Sequence, residues 1–202
     1  HPKVLTGEQD TNLSELVIWY KAAKKRFDED PIFKKTAQLK VVALQSGGKE
    51  EKQAWQVICD ISRQGFQTIY TLLNICLIER GESYYNDRLE NIISQLETKK
   101  LVTESDGAKV VFLDGFSNRD GDPLPLMVQK SDGGFNYATT DLAALQHRVN
   151  DEAANRIIYI TDSGQSLHFK MVFAAAEKAS FYHPNTVTIE HAGFGLVLGE
   201  DG

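Results

Sequence analysis

Residues 137–141 place a phenol and a carboxylate one helical turn apart, on the side chains of Tyr137 and Asp141. A second polar run at residues 159–169 follows one predicted strand later and contains the amide of Gln165. A guanidinium binds best to a carboxylate, because its planar fork of N–H groups matches the two carboxylate oxygens. These three side chains therefore predict a pocket for a flat, forked cation at one edge of a sheet.

A purely structural explanation also fits the first run. Thr139 or Thr140 is suited to cap a helix, and Asp141 would then lie in the first helical turn, where a carboxylate only complements the helix dipole. Tyr137 would then be an aromatic side chain at the boundary of the core. The functional interpretation instead places both side chains at the carboxyl end of a strand, where open α/β sheets bind ligands.

The loop at residues 161–165 follows a predicted strand and begins a helix. Gly164 lets the backbone approach a ligand closely, and free N–H groups at a helix start favour polar or anionic ligand atoms. An ordinary strand-to-helix loop capped by Ser163 is the alternative. His168 lies one turn into that helix, where a lone histidine is usually packed or solvated rather than catalytic.

The segment from His191 to Gly195 is expected to follow the last strand, with glycines on both sides of Phe194. Main-chain amides beside these glycines can meet a flat ring such as adenine. The spacing does not match the G-x-G-x-x-G fingerprint of dinucleotide-binding turns. A tight turn without a ligand is the alternative interpretation.

The composition, with 42% hydrophobic and 25% charged residues, is ordinary for a soluble globular protein. The net charge of −6 argues against broad electrostatic binding to nucleic acid. A basic cluster at residues 21–26 is either a solvated helix end or a contact for an RNA backbone. Cys59 and Cys76 stand apart, which argues against a zinc ribbon and favours two reduced thiols. No apolar run reaches the ~20 residues of a membrane span and no signal peptide is recognisable, so we expect a cytoplasmic protein.

The first half of the chain is predicted to be helical, because apolar residues recur at the helical period. Periodic runs cover residues 13–27 and 33–44, and Asp30-Pro31 is suited to the start of the second helix. The apolar stripe at residues 55–73 follows the same pattern for about five turns. It includes Cys59, which we assign to core packing.

The second half begins with a predicted helix at residues 89–96 and a hairpin with arms at 110–113 and 124–128, joined by a turn at 118–121. After residue 128 the chain alternates between strands and helices. The strands are predicted at residues 156–160 and 187–189, and the helices at residues 139–149 and 166–180. This alternation predicts an α/β fold with a parallel sheet and right-handed crossovers.

Taken together, these runs resemble the arginyl-tRNA synthetases, a family of class I aminoacyl-tRNA synthetases. The matching stretches occur in the family's order, at residues 20–30, 81–85, 129–134, 137–144, 162–169 and 194–202. The resemblance covers nearly the whole chain and is weakest over residues 1–12. Several motifs in the right order are far more specific than any one of them alone.

The resemblance implies a fold in two parts. Residues 127–202 would form the second half of a class I Rossmann-type parallel sheet, and residues 1–126 a largely helical connective insertion with a small β-hairpin. The family joins arginine to ATP, giving arginyl-adenylate and pyrophosphate, and passes the arginyl group to its tRNA. Arginine, ATP and arginine tRNA are therefore the expected partners, with Mg²⁺ accompanying ATP, no membrane and a monomeric protein.

The resemblance also assigns roles to the residues introduced above. Three side chains are expected to bind arginine, with the carboxylate on the guanidinium: Tyr137, Asp141 and Gln165. Five residues are expected to lie along ATP: Gly164, His168, His191, Phe194 and Gly195. No catalytic residue and no metal ligand is expected within the chain.

Two motifs of the family fall outside these 202 residues. The His-x-Gly-His signature should precede residue 1 and the phosphate-binding lysine loop should follow residue 202. Catalysis in this class consists mainly of positioning and electrostatic stabilisation of the reacting phosphate. We therefore expect the chain alone to be an inactive piece of an arginine–tRNA ligase. A non-catalytic arginine- or RNA-binding regulatory module is the alternative.

Overall fold

The structure, a computed structural model, describes residues 2–5, 9–196 and 198–199. The chain divides between Ile78 and Glu79 into two compact units, the first helical and the second mixed α/β. The boundary predicted after residue 126 marks the expected end of the connective insertion, and not the border between two compact units. It therefore stays a prediction.

The described part of the first unit is formed by helices α1 (Pro2–Leu5), α2 (Leu13–Glu29), α3 (Pro31–Gln45) and α4 (Lys49–Leu72). Helix α3 begins as predicted, with Asp30 as its N-cap and proline at the first helical position. The Asp30 carboxylate accepts hydrogen bonds from the backbone N–H groups of Phe33 and Ile32. The bond from Phe33 is the largest cause that lowers the pKa of Asp30.

Helix α4 has the predicted periodicity but not the predicted burial. Trp55, Ile58, Phe66 and Ile69 on its apolar stripe are all exposed, and the described residues of α4 include no buried side chain. Cys59 is half-buried, so its assignment to the core was wrong. A periodic apolar pattern shows that a helix has one apolar face, and it does not show that another element covers that face.

The basic cluster of the first unit lies on α2 and is partly paired. Lys24 Nζ lies 2.6 Å from Asp28 Oδ1, and Arg26 Nε lies 3.2 Å from Asp30 Oδ2. Both pairs join residues one helical turn apart, as expected on a solvated helix face of mixed charge. An RNA contact at this cluster stays a prediction.

The second unit begins with a 3₁₀ segment (Glu82–Arg88) and helix α5 (Leu89–Thr98), followed by strands β1 (Val102–Ser105), β2 (Ala108–Ser117) and β3 (Pro123–Gln129). These strands form an antiparallel sheet in the order β1-β2-β3, which confirms the predicted hairpin. Its turn is fixed by the side-chain oxygen of Asn118, which accepts hydrogen bonds from the N–H groups of Asp120 and Asp122. Strand β1 was not predicted, because its 4 residues include a single apolar side chain.

The rest of the second unit alternates between helices and strands: α6 (Tyr137–Asn150), β4 (Arg156–Asp162), a 3₁₀ turn (Ser163–Gln165), α7 (Ser166–Lys178) and β5 (Thr188–Phe194). Strands β4 and β5 pair in parallel, which confirms the predicted α/β arrangement. Strand β5 extends well beyond the predicted residues 187–189. His191 and Phe194 therefore belong to the strand rather than to a following loop.

The core of the second unit is built from side chains of α5, α6, α7 and the strands. The largest fully buried side chains are Ile92, Leu96, Leu142, Leu145, Val111, Val128, Val172 and Thr139. Burying one aliphatic side chain of this size contributes about 1.5–3 kcal/mol. The Thr139 hydroxyl donates a hydrogen bond to the carbonyl of Val128, which attaches the start of α6 to β3. Among the described residues, no helix combines the length and the apolar character that crossing a membrane requires.

Candidate functional site

Strands β4 and β5 end side by side, with Asp162 opposite Phe194. The Ser163 hydroxyl donates a 2.9 Å hydrogen bond to the carbonyl of Phe194, so the loop after β4 is attached to the end of β5. A Cβ on Gly193 would lie 3.2 Å from Ser163 Cα, so the close approach of loop and strand favours glycine there. Ligands of open α/β sheets bind beyond these strand ends, which makes this edge the candidate site.

Asp162 organises the loop that follows β4. Its Oδ1 accepts a hydrogen bond from the Gly164 N–H at 2.9 Å, and its Oδ2 accepts one from Gln165 Nε2 at 2.6 Å. A Cβ on Gly164 would lie 2.8 Å from Asp162 Oδ1, so a side chain at that position would disturb the cap. The sequence interpretation with Ser163 as the cap was wrong, and it overlooked Asp162, although Asp is a favoured N-cap residue.

Helix α6 begins earlier than predicted. Its N-cap is Asn136, whose side-chain oxygen accepts a 2.9 Å hydrogen bond from the Tyr137 N–H. The expectation that Thr139 or Thr140 caps the helix was therefore wrong, and Asp141 lies in the second turn rather than the first. The interpretation of Asp141 as a partner of the helix dipole depended on the first turn and loses its basis.

Asp141 makes a hydrogen bond to the neighbouring helix. Its Oδ2 lies 2.6 Å from His168 Nε2 on α7, and the two side chains are 28% and 29% exposed. An ionised carboxylate only accepts hydrogen bonds, so the proton of this bond belongs to His168 Nε2. The carboxylate is thus fixed through one oxygen, and within the part of the chain that the structure describes its Oδ1 is left for a further donor.

Tyr137 and Asp141 lie one helical turn apart and share a face of α6. The phenol is 67% exposed. It lines a cavity of about 280 Å³ together with Glu82, Lys130, Phe135, Asn136 and Thr140. Glu82 brings a carboxylate to this cavity, whose lining does not include Asp141. Sequence reasoning missed Glu82 because it lies far from Tyr137 in the chain, and its only signal was its place in the run at residues 81–85.

An aromatic group connects the two histidines of the site. The Phe169 ring meets His168 edge-on, with centroids 5.2 Å apart, and stacks on His191 with centroids 5.0 Å apart. His191 Nε2 lies 2.8 Å from the Thr161 hydroxyl at the end of β4. Phe169 and Thr161 were not among the predicted site residues, because an apolar residue in a helix and a threonine in a strand carry no distinctive signal.

Tyr159 on β4 is buried next to these groups. Arg148 Nη1 donates a 2.9 Å hydrogen bond to the Tyr159 hydroxyl, and the guanidinium lies 5.1 Å from the ring centroid. Burial raises the pKa of Tyr159 to about 12, with Arg148 opposing the rise and the negative charge of Asp141 adding to it. Tyr159 is therefore a neutral hydrogen-bonding group at ordinary pH.

The structure joins some of the predicted site residues and separates others. Asp141 is paired with His168, which had been assigned to ATP rather than to arginine. Within the described residues, the side-chain hydrogen bond of Gln165 goes to Asp162, and not to Asp141 or Tyr137. The exposed Gly195 directly follows β5. The binding roles of all eight residues stay predictions.

A parallel strand pair joined by a crossover helix makes the second unit an α/β structure with a parallel sheet. The family model described as "tRNA synthetases class I (R), catalytic domain" matches residues 4–202, and the chain belongs to this family.

Individual relatives agree with this assignment. The chain is 57% identical over 201 residues to the arginine–tRNA ligase of Protochlamydia amoebophila (strain UWE25). It is 55% identical over 202 residues to that of Crocosphaera subtropica (strain ATCC 51142 / BH68). Each match covers 100% of this chain and 34% of the relative, so the chain spans about a third of the length of the curated relatives it matches. The structure of arginyl-tRNA synthetase from Plasmodium falciparum is similar with a TM-score of 0.79 and 31% identity, over 98% of this chain and 32% of that chain.

Proposed function

We propose that the chain contributes the arginine-binding side of the catalytic region of an arginine–tRNA ligase. Such a ligase condenses arginine with ATP to arginyl-adenylate and pyrophosphate, and then transfers the arginyl group to the terminal ribose of arginine tRNA. The family membership and the names of the relatives support this reaction. Residues 127–202 would supply half of the Rossmann-type sheet, and residues 1–126 the connective insertion.

The observation that carries the proposal is the hydrogen bonding, exposure and position of the Asp141 side chain. Its carboxylate is held by His168 through Oδ2, is partly exposed, and lies on the same helix face as the phenol of Tyr137. A partly desolvated carboxylate with a free oxygen and a fixed orientation suits a guanidinium better than a freely rotating surface carboxylate does. Asp141 is therefore proposed to bind the guanidinium of arginine.

Glu82 strengthens the electrostatic part of the proposal. It lines the same cavity as Tyr137 and brings a negative charge to that cavity. Lys130 lines the cavity too, so the pocket is not uniformly acidic. We propose that Glu82 and Asp141 together favour a cationic side chain, while the phenol provides a flat surface on which a guanidinium can stack.

ATP is proposed to lie along the loop after β4 and the end of β5. The loop at Gly164, whose own N–H is bonded to Asp162, and the main chain at Phe194 and Gly195 lie at the adjoining strand ends. His191 lies three residues further back, within β5. Mg²⁺ is expected to accompany ATP through the phosphate oxygens. The described residues contain no group of three or more His, Cys, Asp or Glu side chains suited to a metal ion, and the proposal assigns no step to the metal.

The proposal is tested by Asp141→Asn in a ligase of the relatives' full length that contains this sequence. The substitution keeps the shape of the side chain and removes its charge, so we expect the KM for arginine to rise about 10- to 100-fold. The KM for ATP should change little. Asp106→Asn is the matched control, because Asp106 is exposed in the turn between β1 and β2, at a φ of 50° that asparagine also adopts.

A binding experiment distinguishes recognition of the planar guanidinium shape from recognition of its positive charge. The thermal stabilisation of the same full-length protein is measured with arginine, lysine and citrulline. Lysine carries the charge without the fork, and citrulline carries the planar group without the charge, so arginine should stabilise most. Unaltered arginine binding in Asp141→Asn would show that the guanidinium is bound elsewhere.

A further inference from the structure

His168 stands out among the residues assigned to ATP, because its ring nitrogen is bonded to a residue assigned to arginine. Nε2 lies 2.6 Å from Asp141 Oδ2, and the two residues are 27 positions apart in the chain. The bond joins α6 to α7, which pack against each other in the second unit. A side chain whose donor atom is directed at the proposed guanidinium-binding carboxylate is placed to act on arginine rather than on the nucleotide.

The hydrogen bond from His168 limits how the Asp141 carboxylate can move. A carboxylate on a helix can rotate about its Cα–Cβ and Cβ–Cγ bonds, and a bond through Oδ2 restricts both rotations. Oδ1 is then held in one direction, and the second lone pair of Oδ2 is still available. Two N–H groups of a guanidinium can therefore meet the carboxylate while His168 keeps its own bond.

The ring of His168 is itself held in place. Phe169 meets it edge-on with centroids 5.2 Å apart, and Phe169 is in turn buried between His191 and Tyr159. The orientation of the Asp141 carboxylate thus depends on a ring that the core of the second unit supports. Both members of the pair are nevertheless partly exposed, at 28% and 29%, so the pair is not sealed inside the core.

We propose that His168 is a positioning residue for arginine, which fixes the Asp141 carboxylate for two-pronged binding of the guanidinium and does not itself bind ATP. The proposal rests on the proposed function, in which Asp141 binds arginine. It replaces the expectation from the family resemblance that His168 lies along the nucleotide. The determinant of arginine specificity is accordingly a pair of side chains on two helices rather than one carboxylate.

The test compares His168→Ala and His168→Gln in the full-length ligase, with the KM values for arginine and for ATP measured by aminoacylation of arginine tRNA. His168→Ala should raise the arginine KM about tenfold, the effect of losing one hydrogen bond to a charged group. The ATP KM and kcat should change less than about twofold. His168→Gln should recover most of the loss, because its amide N–H can occupy the place of Nε2–H.

A double-mutant cycle decides whether His168 acts through Asp141. In the Asp141→Asn background, His168→Ala should raise the arginine KM by much less than it does alone, because its partner carboxylate is already gone. The proposal would be overturned if the effects of the two substitutions on the arginine KM multiplied in full in the double mutant. It would also be overturned if His168→Ala raised the ATP KM and left the arginine KM unchanged. Should His168→Ala fail to fold, the same comparison is made between His168→Gln and the shorter His168→Asn, which should recover less.

The failure of this inference is distinguishable from failure of the proposed function. A full-length protein that does not charge tRNA with arginine, or whose arginine KM is unchanged by Asp141→Asn, contradicts the proposed function. The full-length protein could charge tRNA normally and show the expected rise in arginine KM with Asp141→Asn, while His168→Ala leaves the arginine KM unchanged. That result would contradict only the role of His168.

Discussion

The two units of the chain use the same kind of sequence pattern with different results. In α5 of the second unit, all the apolar residues of the helix are buried: Leu89, Ile92, Ile93 and Leu96. In α4 of the first unit, the longer apolar stripe is largely exposed. Both helices are amphipathic, so periodicity indicates which face is apolar, whereas burial depends on the elements that cover that face.

This difference predicts where a truncated side chain matters. Leu96→Ala in α5 removes a fully buried side chain, and we expect the free energy of unfolding to fall by about 2–5 kcal/mol. Leu72→Ala makes the same chemical change on α4 at a side chain that is 83% exposed, and it should cost less than about 0.5 kcal/mol. Amide hydrogen exchange measured in α5 and in α4 reports on each unit separately. A similar loss at both positions would mean that the apolar stripe of α4 is covered in solution.

The contrast between buried and exposed side chains also applies to the pH dependence of stability. Burial raises the pKa of Tyr159 from 10.0 to about 12. Between these values the unfolded chain loses the phenolic proton while the folded chain keeps it, so the free energy of unfolding falls as the pH rises. The stabilisation is complete below pH 10, and the eventual loss amounts to about 2–3 kcal/mol above pH 12.

Urea unfolding between about pH 9 and about pH 11 measures the onset of this effect. Tyr159→Phe should flatten the pH dependence, and Tyr20→Phe, at an exposed position of α2, should leave it unchanged. If the two substitutions gave the same pH dependence, Tyr159 would not be the group responsible.

The smallest expected effect concerns two threonines that donate to backbone carbonyls. The buried Thr139 hydroxyl bonds to the carbonyl of Val128, whereas the exposed Thr36 hydroxyl bonds to the carbonyl of Ile32 at 2.9 Å. Thr139→Val should lower the free energy of unfolding by about 1–2 kcal/mol, because it leaves a buried acceptor unpaired. Thr36→Val should be nearly neutral, since water replaces the hydroxyl. Equal losses in chemical denaturation would argue that burial does not control the value of these bonds.

Local sequence signals predicted the elements of both units because their physical causes are local. Asp30-Pro31 begins α3 through bonds to the next few residues, and Asn118 forms its turn in the same way. The N-cap of α6 was misplaced for a related reason. Asn136, Thr139 and Thr140 all have residue types suited to a cap, so residue type alone did not identify Asn136, and the Thr139 hydroxyl bonds instead to Val128 on β3.

The sequence predicted the residue types of the candidate site, but not which of its side chains bond to one another. Tyr137, Asp141 and Gln165 were selected for the groups they carry, and the family resemblance supplied their roles. The bond from Asp141 to His168 depends on how α6 packs on α7, and no local pattern encodes that packing. Glu82 was missed for the same reason, because only folding brings it to the cavity that Tyr137 lines.

The hydrogen bond between Gln165 and Asp162 has a consequence for the polarity of the candidate site. A carboxylate accepts only from the NH₂ end of an amide, so the bond from Nε2 to Oδ2 fixes which way the amide of Gln165 is turned. Its carbonyl oxygen is then the end of the amide that does not face the Asp162 carboxylate. In the role proposed for Gln165, this oxygen would accept a hydrogen bond from the ammonium group of arginine, whereas the carboxylate of arginine would meet a dipole of like sign.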